Sequence, residues 1–195
     1  MKVKNEGSDR ELPEDGTYPF VCVQIVDLGT QKSDQYEDTR KASFGFQLVD
    51  EETSDGKAVM VYRKFPLKVG PKSHLGQALK SWLGITVGKG EEFDFDECLG
   101  KPGMLTIQQT EPDNNGKIYA NITALVKPPK GTKVTKATEP QFSLWLDPEE
   151  FDQDTFDGLP DFVKEQIEKS DEYQDCVKPK AKAKTSVPVK AGKKK

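Results

Sequence analysis

The stretch KAVMVYRKFPLKVGPKSHLGQALKSWLGI, residues 57–85, constrains the fold more than any other part of the chain. Its first half is β-branched and aromatic, as strands are, and Gly70 and Pro71 break it. Leu75, Ala78, Leu79, Trp82 and Leu83 then recur at i, i+3, i+4, i+7 and i+8, which sets one apolar stripe along a helix. Ser73 is placed to cap the start of that helix and Gly84 its end. Two strand-like segments precede this unit and two follow it.

The first, GTYPFVCVQIVDLGTQ (residues 16–31), is apolar on both faces, as a long strand that curls across a barrel would be. The second, RKASFGFQLVD (residues 40–50), alternates: Phe44, Phe46 and Leu48 form a core face, and Lys41, Ser43, Gly45 and Gln47 the other. Asp55-Gly56 turns it into the third strand. MLTIQQT (residues 104–110) and KIYANITALV (residues 117–126) are the fourth and fifth. Between them Asn115-Gly116 suits a type I′ turn, which needs positive φ at both central residues. The order β-β-β-α-β-β, with hairpins at both ends, predicts a mainly β chain. Its domain, residues 17–128, is a five-stranded OB-fold barrel with a helix between strands three and four. A ferredoxin-like domain would need two crossover helices, and an immunoglobulin sandwich about seven strands and no helix.

Charge is unevenly spread. The net charge is −4. Residues 147–175 carry twelve acids against Lys164 and Lys169, a net of −10, whereas residues 176–195 hold eight lysines and no acid. That leaves residues 1–146 at −2. Composition therefore predicts a disordered polar N-terminus (1–16), a linker (129–146), an acidic helical segment (147–175) and a disordered lysine-rich tail (176–195). In the acidic segment Phe162, Val163, Gln166 and Ile167 share one side of an amphipathic helix, and Trp145, Phe156 and Phe162 are expected to dock.

No apolar run approaches the roughly 20 residues of a membrane span, and no secretory h-region is visible, so a cytoplasmic protein is expected. Cys22, Cys98 and Cys176 are odd in number and far apart, and His74 has no ligand-spaced neighbour, so neither a disulfide framework, a metal nor a cofactor is expected. GxxxxGK[ST], HExxH and GxSxG are absent. Nothing points to an enzyme.

Single-stranded nucleic acid needs cations along its phosphates and flat rings under its bases. OB folds present both on strands two and three and on the loops between strands one and two and strands four and five. Arg40, Lys41, Lys57, Arg63, Lys64, Lys68 and Lys72 are the candidate cations there, with Tyr62 and Phe65 interleaved. Lys117, Tyr119 and Asn121 are candidates near the second hairpin, and Tyr36 stands in the first loop. Strand three poses a conflict. By strict alternation Val59, Val61 and Phe65 share a face with Arg63, and Met60 and Tyr62 share the other with Lys64, so each face carries a cation. A bulge or a strand end at Arg63-Lys64 would relieve it.

GTYPFVCVQIVDLGTQ, KSHLGQALKSWLG, LGKPGMLTIQQT…NGKIYANI and LP…EQIEKSDEY, in this order and spacing, resemble a family of bacteriophage-encoded OB-fold single-stranded DNA-binding proteins. The resemblance spans about residues 12–173. It implies sequence-tolerant binding of single-stranded DNA in phage replication or recombination, inside the infected bacterial cell. It assigns no DNA-contacting residues, so the candidates above rest on their chemistry alone. Bacterial proteins of this function commonly end in an acidic, partner-recruiting tip, but here the acidic segment is internal and the chain ends GKKK. That segment is accordingly expected to contact replication or recombination proteins or to compete for the groove, and the lysine tail to add phosphate contacts. The alternative is an OB-fold protein-interaction module with no nucleic-acid role, which the near-neutral body favours.

Overall fold

Alternating apolar residues build the expected elements in the expected order, and the region beyond them adds a sixth strand and three short helices. In this computed structural model, which describes residues 11–33 and 37–177, the chain runs β1 (Gly16–Gln31), β2 (Thr39–Glu52), β3 (Ala58–Pro66), α1 (His74–Leu83), a 3-10 turn (Phe95–Cys98), β4 (Pro102–Gln109) and β5 (Ala120–Val126). It continues through β6 (Phe142–Leu144), α2 (Gln153–Asp157), α3 (Asp161–Glu168) and α4 (Asp171–Val177). Tyr36, residues 1–10 and the lysine-rich tail from residue 178 lie outside the described residues. No described helix is long and apolar enough to cross a membrane.

The molecule is mainly β. Its six-stranded sheet follows the path β3-β2-β1-β4-β5, with β6 parallel to β1 and every other ladder antiparallel. β1 is shared by three partners. One edge pairs with β2, while the other takes β4 along residues 16–21 and β6 along residues 24–26. Bulges at Cys22/Gln24 and Asp27/Thr30 bend it between those partners. The expected barrel is not closed by backbone pairing. β3 and β5 approach one another at the two ends of the path, and no ladder joins them. α1 stands at this seam, where the Lys127 N–H donates to the Ser81 carbonyl (3.1 Å) and Ser81 Oγ donates to the Leu125 carbonyl (2.7 Å).

α1 forms as its caps dictate. Ser73 accepts from the Gly76 N–H, and Gly84 turns left-handed at φ 75°. Its stripe of Leu75, Leu79 and Trp82 is buried on the inner face of the sheet with Phe20, Phe44, Phe46 and Phe65. The rings of Phe20 and Phe46 meet edge-on at 4.8 Å, and Trp82 lies 5.4 Å from Phe20. Each such side chain contributes about 1.5–3 kcal/mol by leaving water.

Both long hairpins turn in the same way, which is not type I′. In residues 53–56 and 113–116 only the closing glycine has positive φ (Gly56 74°, Gly116 75°), and its N–H returns to the carbonyl of Thr53 or Asp113 at 2.8 Å. The first side chain closes the loop: Thr53 Oγ1 accepts from the Lys57 N–H, and Asp113 Oδ1 from the N–H groups of Asn115 and Lys117. A capping side chain at the first position thus replaces the left-handed Asn that an Asn-Gly pair predicts.

The outer face of β1 is buried as well. Residues 134–139, expected as part of a linker, form a strap across it. Val134 and Ala137 pack on Val21, Val23 and Val49, and Gln47 clamps the strap by accepting from the N–H groups of Thr138 and Glu139 (both 2.9 Å). Further along β1, Val26 and Leu28 lie under Leu144, Leu146, Phe156, Leu159 and Ile167, so the acidic segment is docked. Phe156 is buried and Trp145 meets Phe95 at 5.8 Å with the two rings tilted, whereas Phe162 is 59% exposed and docks nowhere. Ser170, between α3 and α4, rests on Gly29, whose φ of 66° and missing Cβ make the approach possible. Residues 11–15, expected to be without fixed structure, are held by hydrogen bonds: Asp15 accepts from the Gln109 N–H, the Pro13 carbonyl from the Gln109 amide and Glu11 from the Ser54 N–H.

Candidate nucleic-acid interface

β3 keeps its register with β2 from Lys41↔Pro66 to Gln47↔Met60 without a shift, so neither the bulge nor the strand end expected at Arg63-Lys64 occurs. Strict alternation holds. Val61 and Phe65 are buried on the inner face with Arg63 between them, and Met60, Tyr62 and Lys64 share the outer face. The inner cation is tolerated because β3 is an edge strand, where a long side chain reaches solvent past the open seam.

The ladders set the outer face in rows. Tyr62 is opposite Gly45, Gly45 opposite Gln24, and Gln24 opposite Phe142 of β6. In the next row Lys64, Ser43, Val26 and Leu144 follow one another in the same way. Tyr62 is 40% exposed, and its ring lies against the backbone of Gly45, where a Cβ would stand 3.0 Å from Cε1 of the ring. A glycine inside a strand marks such a close approach. Lys41 and Lys64 are close enough that burial first, and the charge of Lys41 second, pulls the Lys64 ammonium below its ordinary value. The window is narrow. The strap at Gln47 bounds one side and α3 the other, where Lys64 Nζ donates to Gln166 Oε1 at 2.5 Å.

The remaining candidates lie elsewhere. Arg40 is taken up by the buried carboxylate of Asp27, which also accepts from the N–H groups of Gly29 and Leu146, and it donates to the Leu146 carbonyl. Phe65 is 1% exposed, so it is a core ring and no stacking platform. Its face is covered by Arg63, whose guanidinium carbon is 4.7 Å from the ring centre. Lys57 pairs with Asp55 at the β2–β3 turn (2.5 Å) and Lys68 with Glu37 (3.7 Å), and Lys72 is exposed before α1. Lys117 and Tyr119 form a cation–π pair at 5.1 Å on the β4–β5 hairpin, where Asn121 is exposed on β5 opposite Gln108. Three outer-face candidates thus come together, namely Lys41, Tyr62 and Lys64. Ser43 and Gly45, which with Gln24 of β1 complete their surroundings, were signalled only by the polar alternation of β2 and the glycine within it.

Among the described residues no group of His, Cys, Asp and Glu is arranged to hold a metal ion. Burial pushes the thiols of Cys22 and Cys98 up, that of Cys98 to about 12, so neither is a thiolate at neutral pH. No protein-family model matches the chain, and no curated protein matches it.

Proposed function

We propose that the chain is an OB-type, partly open barrel that binds single-stranded DNA with little sequence preference on the outer face of β2 and β3. The strand path, with α1 between β3 and β4, supports the OB reading, since that fold is a five-stranded, partly open barrel with its oligonucleotide face on strands two and three. The observation that carries the functional reading is the half-exposed Tyr62 ring set against Gly45, beside the ammonium groups of Lys41 and Lys64. A ring of this kind contributes about 1–3 kcal/mol per stacked base, whatever the base, and the two cations follow the phosphates. A strand that takes Lys64 must displace Gln166, so α3 competes for the groove.

The resemblance to phage-encoded DNA-binding proteins gives the setting: replication or recombination in the infected bacterial cell, without catalysis. α3 supplies a surface for the partner proteins of that process, an exposed Phe162 next to Asp161 and near Glu165. Fluorescence anisotropy with labelled single- and double-stranded oligonucleotides over a salt series tests the reading. Tight, salt-dependent binding of the single strand is expected, weakened in Tyr62→Ala. Absence of single-strand binding at low salt would sink it. A parallel series with RNA separates the two nucleic acids.

A second reading, an OB-type module that binds only a protein, is favoured by the narrowness of the groove between the strap and α3. The same anisotropy series separates it from the first.

A further inference from the structure

The seam of the sheet holds a second polar feature, on the other side of β3 from Tyr62. A cleft of about 400 Å³ opens between β3, α1 and β5, lined by Arg63, His74, Gln77, Ser81 and Thr123 among others. Among the described residues no acidic one lines it. Arg63 is half-buried there and stacked on Phe65, and among the described residues no carboxylate pairs with it. Burial alone draws its guanidinium below its ordinary value. The contrast with Arg40 is instructive, since that guanidinium is held by Asp27 and raised. A desolvated guanidinium without an anion is costly, and its planar fork matches a two-oxygen anion. The hydroxyls of Ser81 and Thr123 and the amide of Gln77 already donate to main-chain carbonyls, so Arg63 and the exposed His74 are the principal donors that face the cleft.

We propose that this cleft is a phosphate site, in which Arg63 supplies the charge and the fork and α1 forms the far wall. The source of the phosphate rests on the DNA reading. Neighbouring residues of a strand point to opposite faces, and one ligand touches both only by passing over a free edge. β3 has such an edge. A single strand stacked on Tyr62 and carried over that edge sets its next backbone phosphate against Arg63. The protein would then hold the strand from both faces of β3, with Phe65 acting from beneath as the support of Arg63.

The test is an NMR titration of the full-length chain that follows the Arg63 Nε–H signal, with sodium pyrophosphate in one arm and a thymidine oligonucleotide in the other. Both are expected to shift the signal. Arg63→Gln is expected to flatten the dependence of log affinity on log salt by about 0.7, the loss of one single-strand phosphate contact, and Tyr62→Ala to lower affinity without changing that slope. Arg63→Lys, which keeps the charge over Phe65, controls for folding and should retain the slope. A shift with pyrophosphate alone supports the site and makes a free phosphate compound its ligand. If the oligonucleotide binds through Tyr62 while neither probe moves Arg63, the site is overturned and the DNA reading survives. If no oligonucleotide binds but pyrophosphate moves Arg63, the DNA reading falls and the site stands.

Discussion

The ring of Tyr62 occupies space that a side chain on Gly45 would claim. A Cβ at residue 45 would stand 2.9 Å from the Cβ of Gln24, closer than real Cβ atoms come, and 3.0 Å from Cε1 of that ring, a tighter approach than nearly all real ones. Gly45→Ala therefore forces β1 or the ring to give way, and it is expected to displace the ring while leaving every charge in place. The expected result is a loss of single-stranded DNA affinity like that of Tyr62→Ala, about 1–3 kcal/mol or 5- to 150-fold. Anisotropy titrations of both variants and the double variant check it. Unaltered affinity in Gly45→Ala would show that the seated ring is not the platform.

Gln166 and Lys64 make a contact that a bound strand has to break. Gln166→Ala leaves Lys64 without that acceptor, and its DNA affinity should rise by about twofold, the scale of an exposed hydrogen bond. Gln166→Glu replaces the amide with a carboxylate and should lower affinity, most visibly at low salt. Opposite signs for these two variants are the outcome to measure. Equal affinity in all three proteins would place the DNA path away from Lys64.

The legible parts of the fold were those fixed by local pattern. β2 and β5 follow from alternation, β1 and β3 from their apolar and β-branched runs, β4 from the hairpin turn that follows it, and α1 from its stripe and its two caps. What the sequence concealed depends on edges and on distant partners. Alternation assigns faces but does not tell an edge strand from a central one, so a cation on the inner face of β3 read as a fault in register when it was a side chain reaching into an open seam. Arg40 lies thirteen residues from Asp27, and only the bulge in β1 and the start of β2 bring them together. The strap has the Lys, Pro and Thr content of a linker, yet Val134, Ala137 and the amide of Gln47 suffice to bind it down. Phe162 shows the reverse. It has the helical spacing of a docking residue and faces solvent, because α3 seats itself through Ile167 and Val163 instead.

Arg40 is a candidate cation that the fold uses internally. Its partner Asp27 is fully buried, so Arg40→Gln leaves a buried carboxylate held only by two N–H groups. The expected cost is about 3 kcal/mol, the low end for breaking a buried pair, because the Arg40 side chain keeps 41% of its exposure and is partly screened. Urea denaturation should show this as a lower midpoint with an unchanged slope. The salt dependence of DNA binding should not change, which distinguishes a structural arginine from one on phosphate.

Glu172 ties α4 to β1, its two oxygens accepting from the Thr30 N–H at 2.9 Å and the Thr30 hydroxyl at 2.6 Å. Burial works to raise its pKa, but these two hydrogen bonds, its own backbone N–H and the charge of Arg40 together outweigh it and hold the carboxyl below its ordinary value. A depressed folded pKa means that the docking energy is fully present above the unfolded value of about 4.3 and is lost as pH falls through the lower folded value. The carboxylate is half-buried at the surface and partly screened by water, so the contribution is a fraction of a kcal/mol. It should therefore appear as local release of α4 rather than as global unfolding. The Thr30 amide signal in NMR should titrate with an apparent pKa below 4.3, and Glu172→Gln should abolish that titration. A Thr30 amide whose shift follows the ordinary glutamate value would mean that α4 is not held on β1 by this carboxylate.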